Sequence, residues 1–156
     1  MPLVKSPTLR IQKSIEALWT DDIRQKLISF WSERRFRFED TSVVPLVARR
    51  GRILWNLISY DSTRLSAELS ISSQQSSGID LVLTVNTAFQ QITEWNRAFW
   101  DLEMATCESF VLHGDRREAE WDEFMRGYWR AAIIWTLTLS LGGRRIPQKK
   151  KAKANA

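Results

Sequence analysis

Cys107 and His113 are the only cysteine and the only histidine of the chain. Together they would offer nucleophilic chemistry, a thiol activated by an imidazole. They stand six residues apart, about 240° around a helix, so in a helical segment they face different directions and cannot pair locally. Cys107 reads instead as a small buried hydrophobe, and His113 as a residue of a last helical turn, beside free carbonyls. A zinc cage needs about four ligands, which one Cys and one His cannot supply. Glu118, Glu120, Asp122 and Glu123 lack the spacing of a calcium loop and read as a solvated first turn. Neither Gly-x-x-x-x-Gly-Lys-Ser/Thr nor Gly-x-Gly-x-x-Gly occurs. One catalytic reading needs no motif: a carboxylate between aromatics, Glu103 or Glu108 beside Trp100 and Cys107, whose pKa rises in an apolar pocket. The balance favours a protein that is not an enzyme and carries no cofactor and no metal.

Binding chemistry is better represented. Arg49, Arg50 and Arg52 surround Gly51 at an expected hairpin tip, near Arg34, Arg35 and Arg37, where guanidinium groups could contact phosphates. The plain alternative is a solvated turn. Six of the ten residues from Arg144 to Lys153 are basic: Arg144, Arg145, Lys149, Lys150, Lys151 and Lys153. The net charge is only +5, so without this tail the body is close to neutral. The tail has the composition of a disordered arm that binds nucleic acid or anionic lipid by charge alone.

Eight tryptophans and seven phenylalanines occur in 156 residues. Each aromatic buries about 150–250 Å², so this density implies a heavily packed core or an apolar surface for a partner. Trp19 and Trp31 share a helical face with Ile23 and Leu27 and are expected in the core. Trp95 and Trp100 are five apart, roughly 140° around a helix, so one of the two should border an interface or pocket. Trp129, Ile133, Trp135 and Leu137 belong to a stretch with little charge on any side, and these residues are expected at a subunit contact.

The elements that must position these residues follow from periodicity. Apolar residues from Ser14 to about Arg34 recur at three and four and mark an amphipathic helix, preceded by an extension over residues 1–13. Its early Asp21 and Asp22 and late Arg34 and Arg35 suit the macrodipole. The period then becomes two: Leu65, Ala67, Leu69 and Ile71 alternate with polar neighbours, and so do Ile79, Leu81, Leu83 and Val85. Residues 53–60 read as a more apolar strand, and residues 35–39 with 43–48 as another, broken by Pro45, which favours an edge. Thr87-Ala88-Phe89-Gln90 has the form of a capping box, so a helix is expected to begin near Ala88. Residues 105–112 fit more helix or a short strand; the absence of a breaker before Gly114 favours helix. Asp115-Arg116-Arg117-Glu118 repeats the capping pattern and opens a last helix ending at Gly142-Gly143, although Trp135, Leu137, Leu139 and Leu141 also alternate as a strand does.

The order helix, meander, a helix containing Ile92-Thr93-Glu94-Trp95-Asn96-Arg97, then a final amphipathic helix resembles the YbjN-like and type III secretion chaperone-like group, carried residue by residue at Trp95, Asn96 and Arg97. The resemblance implies a dimeric, non-enzymatic protein that handles a partner polypeptide. The chain departs from that pattern in lacking a clear strand pair between its late helices.

The expectation is thus a single two-layer α+β domain over residues 14–143, with an N-terminal helix, an antiparallel meander of about four strands and two C-terminal helices packed on the sheet. A basic tail follows over 144–156. The expected function is non-catalytic partner binding, chaperone- or adaptor-like, with homodimerisation; the alternative is nucleic-acid or anionic-membrane binding through the tail. A lone cysteine and the lack of a secretory h-region make the cytoplasm the expected compartment. The apolar run from Ala131 to Leu141, at 11 residues, is too short to span a bilayer, which needs about 20.

Overall fold

Alternating side chains set the sheet. Leu69, Ile71, Ile79, Leu81, Leu83 and Val85 are fully buried, while their polar neighbours are partly or fully exposed. The computed structural model describes residues 8–53, 61–74, 78–88 and 92–140. Its elements are β1 (Thr8–Ile15), α1 (Asp21–Glu33), β2 (Arg37–Phe38), β3 (Leu46–Arg50), β4 (Ala67–Gln74), β5 (Gly78–Asn86), α2 (Glu94–His113) and α3 (Glu118–Ser140). The strands form one antiparallel sheet in the order β1-β5-β4-β3-β2. The fold is α+β, a sheet with helices over its apolar face. An antiparallel meander is present as β2 to β5, with β2 and β3 drawn from the segment read as one strand at 35–39 with 43–48, and β1 makes the sheet five-stranded among the described residues.

The additional strand corrects the reading of the N-terminus. Residues 8–15 are not part of an extension: β1 pairs with β5 along its whole length, from Thr8 opposite Asn86 to Ile15 opposite Ile79. Leu9, Ile11 and Ile15 alternate toward the helices, and the phase is masked by Lys13. Lys13 occupies an inward position and reaches Glu108 of α2 at 2.7 Å, both side chains only about one-third exposed, so a charge stands where a strand pattern calls for an apolar residue. Helix α1 accordingly begins at Asp21 rather than Ser14. Thr20 caps it by accepting from the backbone N–H of Ile23. Leu18 lies before the helix and is exposed.

Trp31 anchors the core with no exposure, meeting Phe30 and Phe36 edge-on at ring-centre distances of 5.2 Å. Helix α2 begins at Glu94, not near Ala88, because the capping box that forms is Thr93 with Asn96. The Thr93 hydroxyl accepts from the Asn96 N–H, and the Asn96 amide oxygen accepts from the Thr93 N–H. Asparagine thus takes the position that Glu or Gln usually fills. Helix α2 continues through residues 105–112 as expected and ends on Gly114 in a left-handed conformation, whose N–H donates to the Phe110 carbonyl. Asp115 accepts from the Arg117 N–H ahead of α3.

Helix α3 packs against α2 rather than broadly against the sheet. Phe99 of α2 meets Trp121, Phe124 and Tyr128 at ring-centre distances of 5.4–6.2 Å. The Trp121 indole N–H donates to the Thr106 hydroxyl at 2.8 Å. The helical reading of residues 133–140 holds over the strand alternative. The expected strand at 53–60 falls almost wholly outside the described residues, as do Gly142-Gly143 and the basic tail. Among the described residues no helix is long and apolar enough to cross a membrane.

Candidate functional site

Strand β3 alternates Leu46, Ala48 and Arg50 toward the core, and the third of these is a charge. Arg50 is 3% exposed at the end of the strand. Its counter-charge comes from α2, where Glu103, 1% exposed, follows Phe99 and Trp100 on the inward face. The guanidinium grips the carboxylate with both terminal nitrogens, at 2.6 and 3.1 Å. The same guanidinium donates to the Arg34 carbonyl at 3.3 Å and lies 4.3 Å from the centre of the Phe36 ring. Its remaining Nε–H is buried without a partner. Arg34 lies 4.0 Å from Glu103 and covers the Phe30 ring at 3.6 Å. Burial lowers the pKa of Arg34, and the Glu103 charge acts against that shift.

This arrangement corrects two expectations. Arg50 is not a hairpin-tip residue open to phosphate, since its head group is committed to Glu103 inside the protein. Glu103 is not an isolated carboxylate between aromatics, since both of its oxygens are held by a cation. Of Trp95 and Trp100, one of which was expected to border an interface or pocket, Trp100 is fully buried and is no partner-surface residue. Trp95, five residues earlier, is the one that reaches the surface, at 43% exposed.

Over the ion pair lies a cleft of about 290 Å³, bordered by Arg34, Thr63, Phe99, Trp121 and Met125. It adjoins a wider bowl of about 450 Å³, lined by Arg35, Arg37, Arg49, Arg50, Gly51, Arg52, Thr63 and Arg64. Arg49 is bound to Glu39 and Glu68, and Arg64 to Asp61. The bowl therefore gathers Arg49 and Arg52, as expected, with Arg35 and Arg37 from the other side of the β2–β3 connection. The residues that sequence reasoning missed here are Arg64 and the turn carrying it. Asp61 accepts from the Thr63 N–H and the Arg64 N–H, folding residues 61–64 tightly. Ser62 at its centre is buried and joins the Asn96 amide at 2.9 Å and the Tyr128 hydroxyl at 2.9 Å, which ties the turn to both α2 and α3. The signal in the sequence is Asp61-Ser62-Thr63, residue types that favour a tight turn.

Cys107 and His113 lie on one helix with the thiol buried and the imidazole exposed. Burial pushes the Cys107 thiol well above its ordinary value. Native protein at pH 8 is expected to resist alkylation by iodoacetamide until it unfolds; rapid labelling of the folded state would show that the core opens at α2. Below the ordinary thiol pKa of 9.0 both states are protonated, and above it only the unfolded thiol ionises. Stability is therefore lost as pH rises above about 9, by up to ~1.4 kcal/mol per pH unit from this group.

Among the expected partner-binding residues, Trp95 contacts Phe124 of α3 at 5.8 Å and approaches Gly127 so closely that a Cβ there would lie 2.8 Å from the indole. Trp129 is 48% exposed. The side chains of Ile133, Trp135 and Leu137 lie outside the described residues, as do Arg144, Arg145, Lys149, Lys150, Lys151 and Lys153. Among the described residues no three His, Cys, Asp or Glu side chains converge as metal ligands. No family model matches the chain, and neither a curated protein nor a solved structure matches it.

Proposed function

We propose that this chain is a non-catalytic binding protein, of chaperone or adaptor type, that self-associates through α3. The observation that carries this reading is the helical state of residues 131–140. A helix through Ala131-Ala132-Ile133-Ile134-Trp135-Thr136-Leu137 distributes apolar residues around its circumference, and an amphipathic contact with one neighbour covers only one stripe. Trp129 at the start of this stretch and Trp95 beside Gly127 are both nearly half exposed, where an interface needs aromatic anchors. A second copy of the same chain is the simplest occupant, because a twofold contact lets one apolar helix cover another. The bidentate Arg50–Glu103 pair and the buried Cys107 thiol support the non-catalytic reading, since each ties up a group that chemistry would use. An unbridged thiol also fits a reducing compartment, and the cytoplasm is the proposed one.

Sedimentation velocity tests this directly. Wild-type protein is expected to be dimeric at micromolar concentration. Trp129→Glu places a charge in the desolvated contact while leaving the domain's own core untouched, so dimerisation is expected to weaken at least a hundredfold with the circular dichroism spectrum preserved. A wild-type chain that remains monomeric at high micromolar concentration overturns self-association.

A further inference from the structure

We infer that the arginine bowl is a binding site for a compact, multiply phosphorylated solute. Six arginines line it, and among the described residues no acidic side chain shares the lining. Three of the six have their charge met elsewhere: Arg49 by Glu39 and Glu68, Arg50 by Glu103, and Arg64 by Asp61. Arg35, Arg37 and Arg52 have no acidic partner among the described residues, so three uncompensated guanidinium groups face one concavity.

Two features show that the fold holds these cations together against its own preference. The β2–β3 register sets Arg37 directly opposite Arg49, a pairing of like charges that Glu39 and Glu68 offset on the Arg49 side, while Arg37 has no acidic partner among the described residues. Arg35 is in the left-handed region at φ 68°, as the residue just past the end of α1. Its N–H donates to Ser32 and the next N–H, of Phe36, donates to Trp31, which is the helix-ending motif that glycine normally completes. An arginine there accepts backbone strain that glycine would avoid, and strain of this kind is retained where the side chain is useful.

The lining selects among anions. Among the described residues its lining has no aromatic side chain on which bases of a single strand could stack. Forked guanidinium groups converging on about 450 Å³ suit several phosphates held close together in one small molecule.

Isothermal titration of the full chain with inositol hexakisphosphate tests the inference. Expected is one site per chain, with affinity falling as salt rises. Arg35→Gly is expected to raise the melting temperature and to weaken binding about tenfold; Arg37→Gln with Arg52→Gln should weaken it about a hundredfold. The basic tail remains intact in both variants, so binding unchanged in them assigns the anion to the tail and overturns the inference. A melting temperature lowered by Arg35→Gly removes the strain argument and counts against it. Tight binding to phosphoinositide vesicles without binding to the soluble probe, or to duplex DNA in preference to it, also overturns it.

Discussion

Replacing Glu103 with alanine is expected to destabilise the protein by about 3–5 kcal/mol, because the variant leaves the Arg50 guanidinium buried with no counter-charge. Domains of this size are stable by only about 5–15 kcal/mol in total, so the variant should unfold at low urea concentration. The loss reflects an orphaned charge more than the intrinsic worth of the pair. Arg50→Met combined with Glu103→Leu is accordingly expected to be more stable than either single replacement, since two apolar residues face no desolvation cost and the partnerless Arg50 Nε–H is removed with them. Urea titrations of the two single variants and the double variant check this. A Glu103→Ala cost below about 1 kcal/mol would show that water reaches Arg50 from the overlying cleft.

A comparably large effect is expected at Gly51. This residue has φ +72°, and a Cβ built on it would sit 2.4 Å from the carbonyl oxygens of both Arg64 and Leu65. Gly51→Ala therefore adds a left-handed penalty of about 1–2 kcal/mol to an overpacking cost of about 1–3 kcal/mol, and backbone rather than a flexible side chain must move. Gly114 provides the control. Its φ is +73°, yet a Cβ there meets nothing within 4 Å, so Gly114→Ala carries the conformational penalty alone. Thermal melts should show Gly51→Ala well below Gly114→Ala, and equal melting temperatures would mean that the turn at residues 61–64 yields easily. Anion titration of Gly51→Ala should also weaken, because this close approach is what brings Arg52 and Arg64 to one bowl.

The elements most legible in the sequence are those whose burial follows one period without interruption. Strands β4 and β5 and the run of α2 to Gly114 are of this kind. Two of the misread elements share a different cause, a charged residue in an inward position. Lys13 broke the alternation of β1 because its partner, Glu108, lies far away in sequence. Arg50 continued the inward phase of Leu46 and Ala48, but an arginine beside two others and a glycine reads as a surface turn until Glu103 is in view. The start of α2 was misplaced because Thr87 and Gln90 have the composition of a capping box, whereas Thr93 and Asn96 have its geometry. At the candidate site, the cluster of Arg35, Arg37, Arg49 and Arg52 was visible as composition. Its division into paired and unpaired cations was not, since pairing depends on the register of β2, β3 and β4.

The placement of β1 has a bearing on how the chain reaches its fold. The strands β2 to β5 pair with sequence neighbours, so that part of the sheet can form progressively as the polypeptide is made. Among the described residues β1 pairs only with β5, the last of the strands in chain order, and that pairing cannot form until residue 86 has emerged. Until then, Leu9, Ile11 and Ile15 have no sheet to join, and the outer edge of β5 stays open once it forms. Closure of that edge is the step of highest loop-closure entropy in the sheet. It is also the step that separates a folded chain from one exposing a nine-residue template for strand addition by its neighbours.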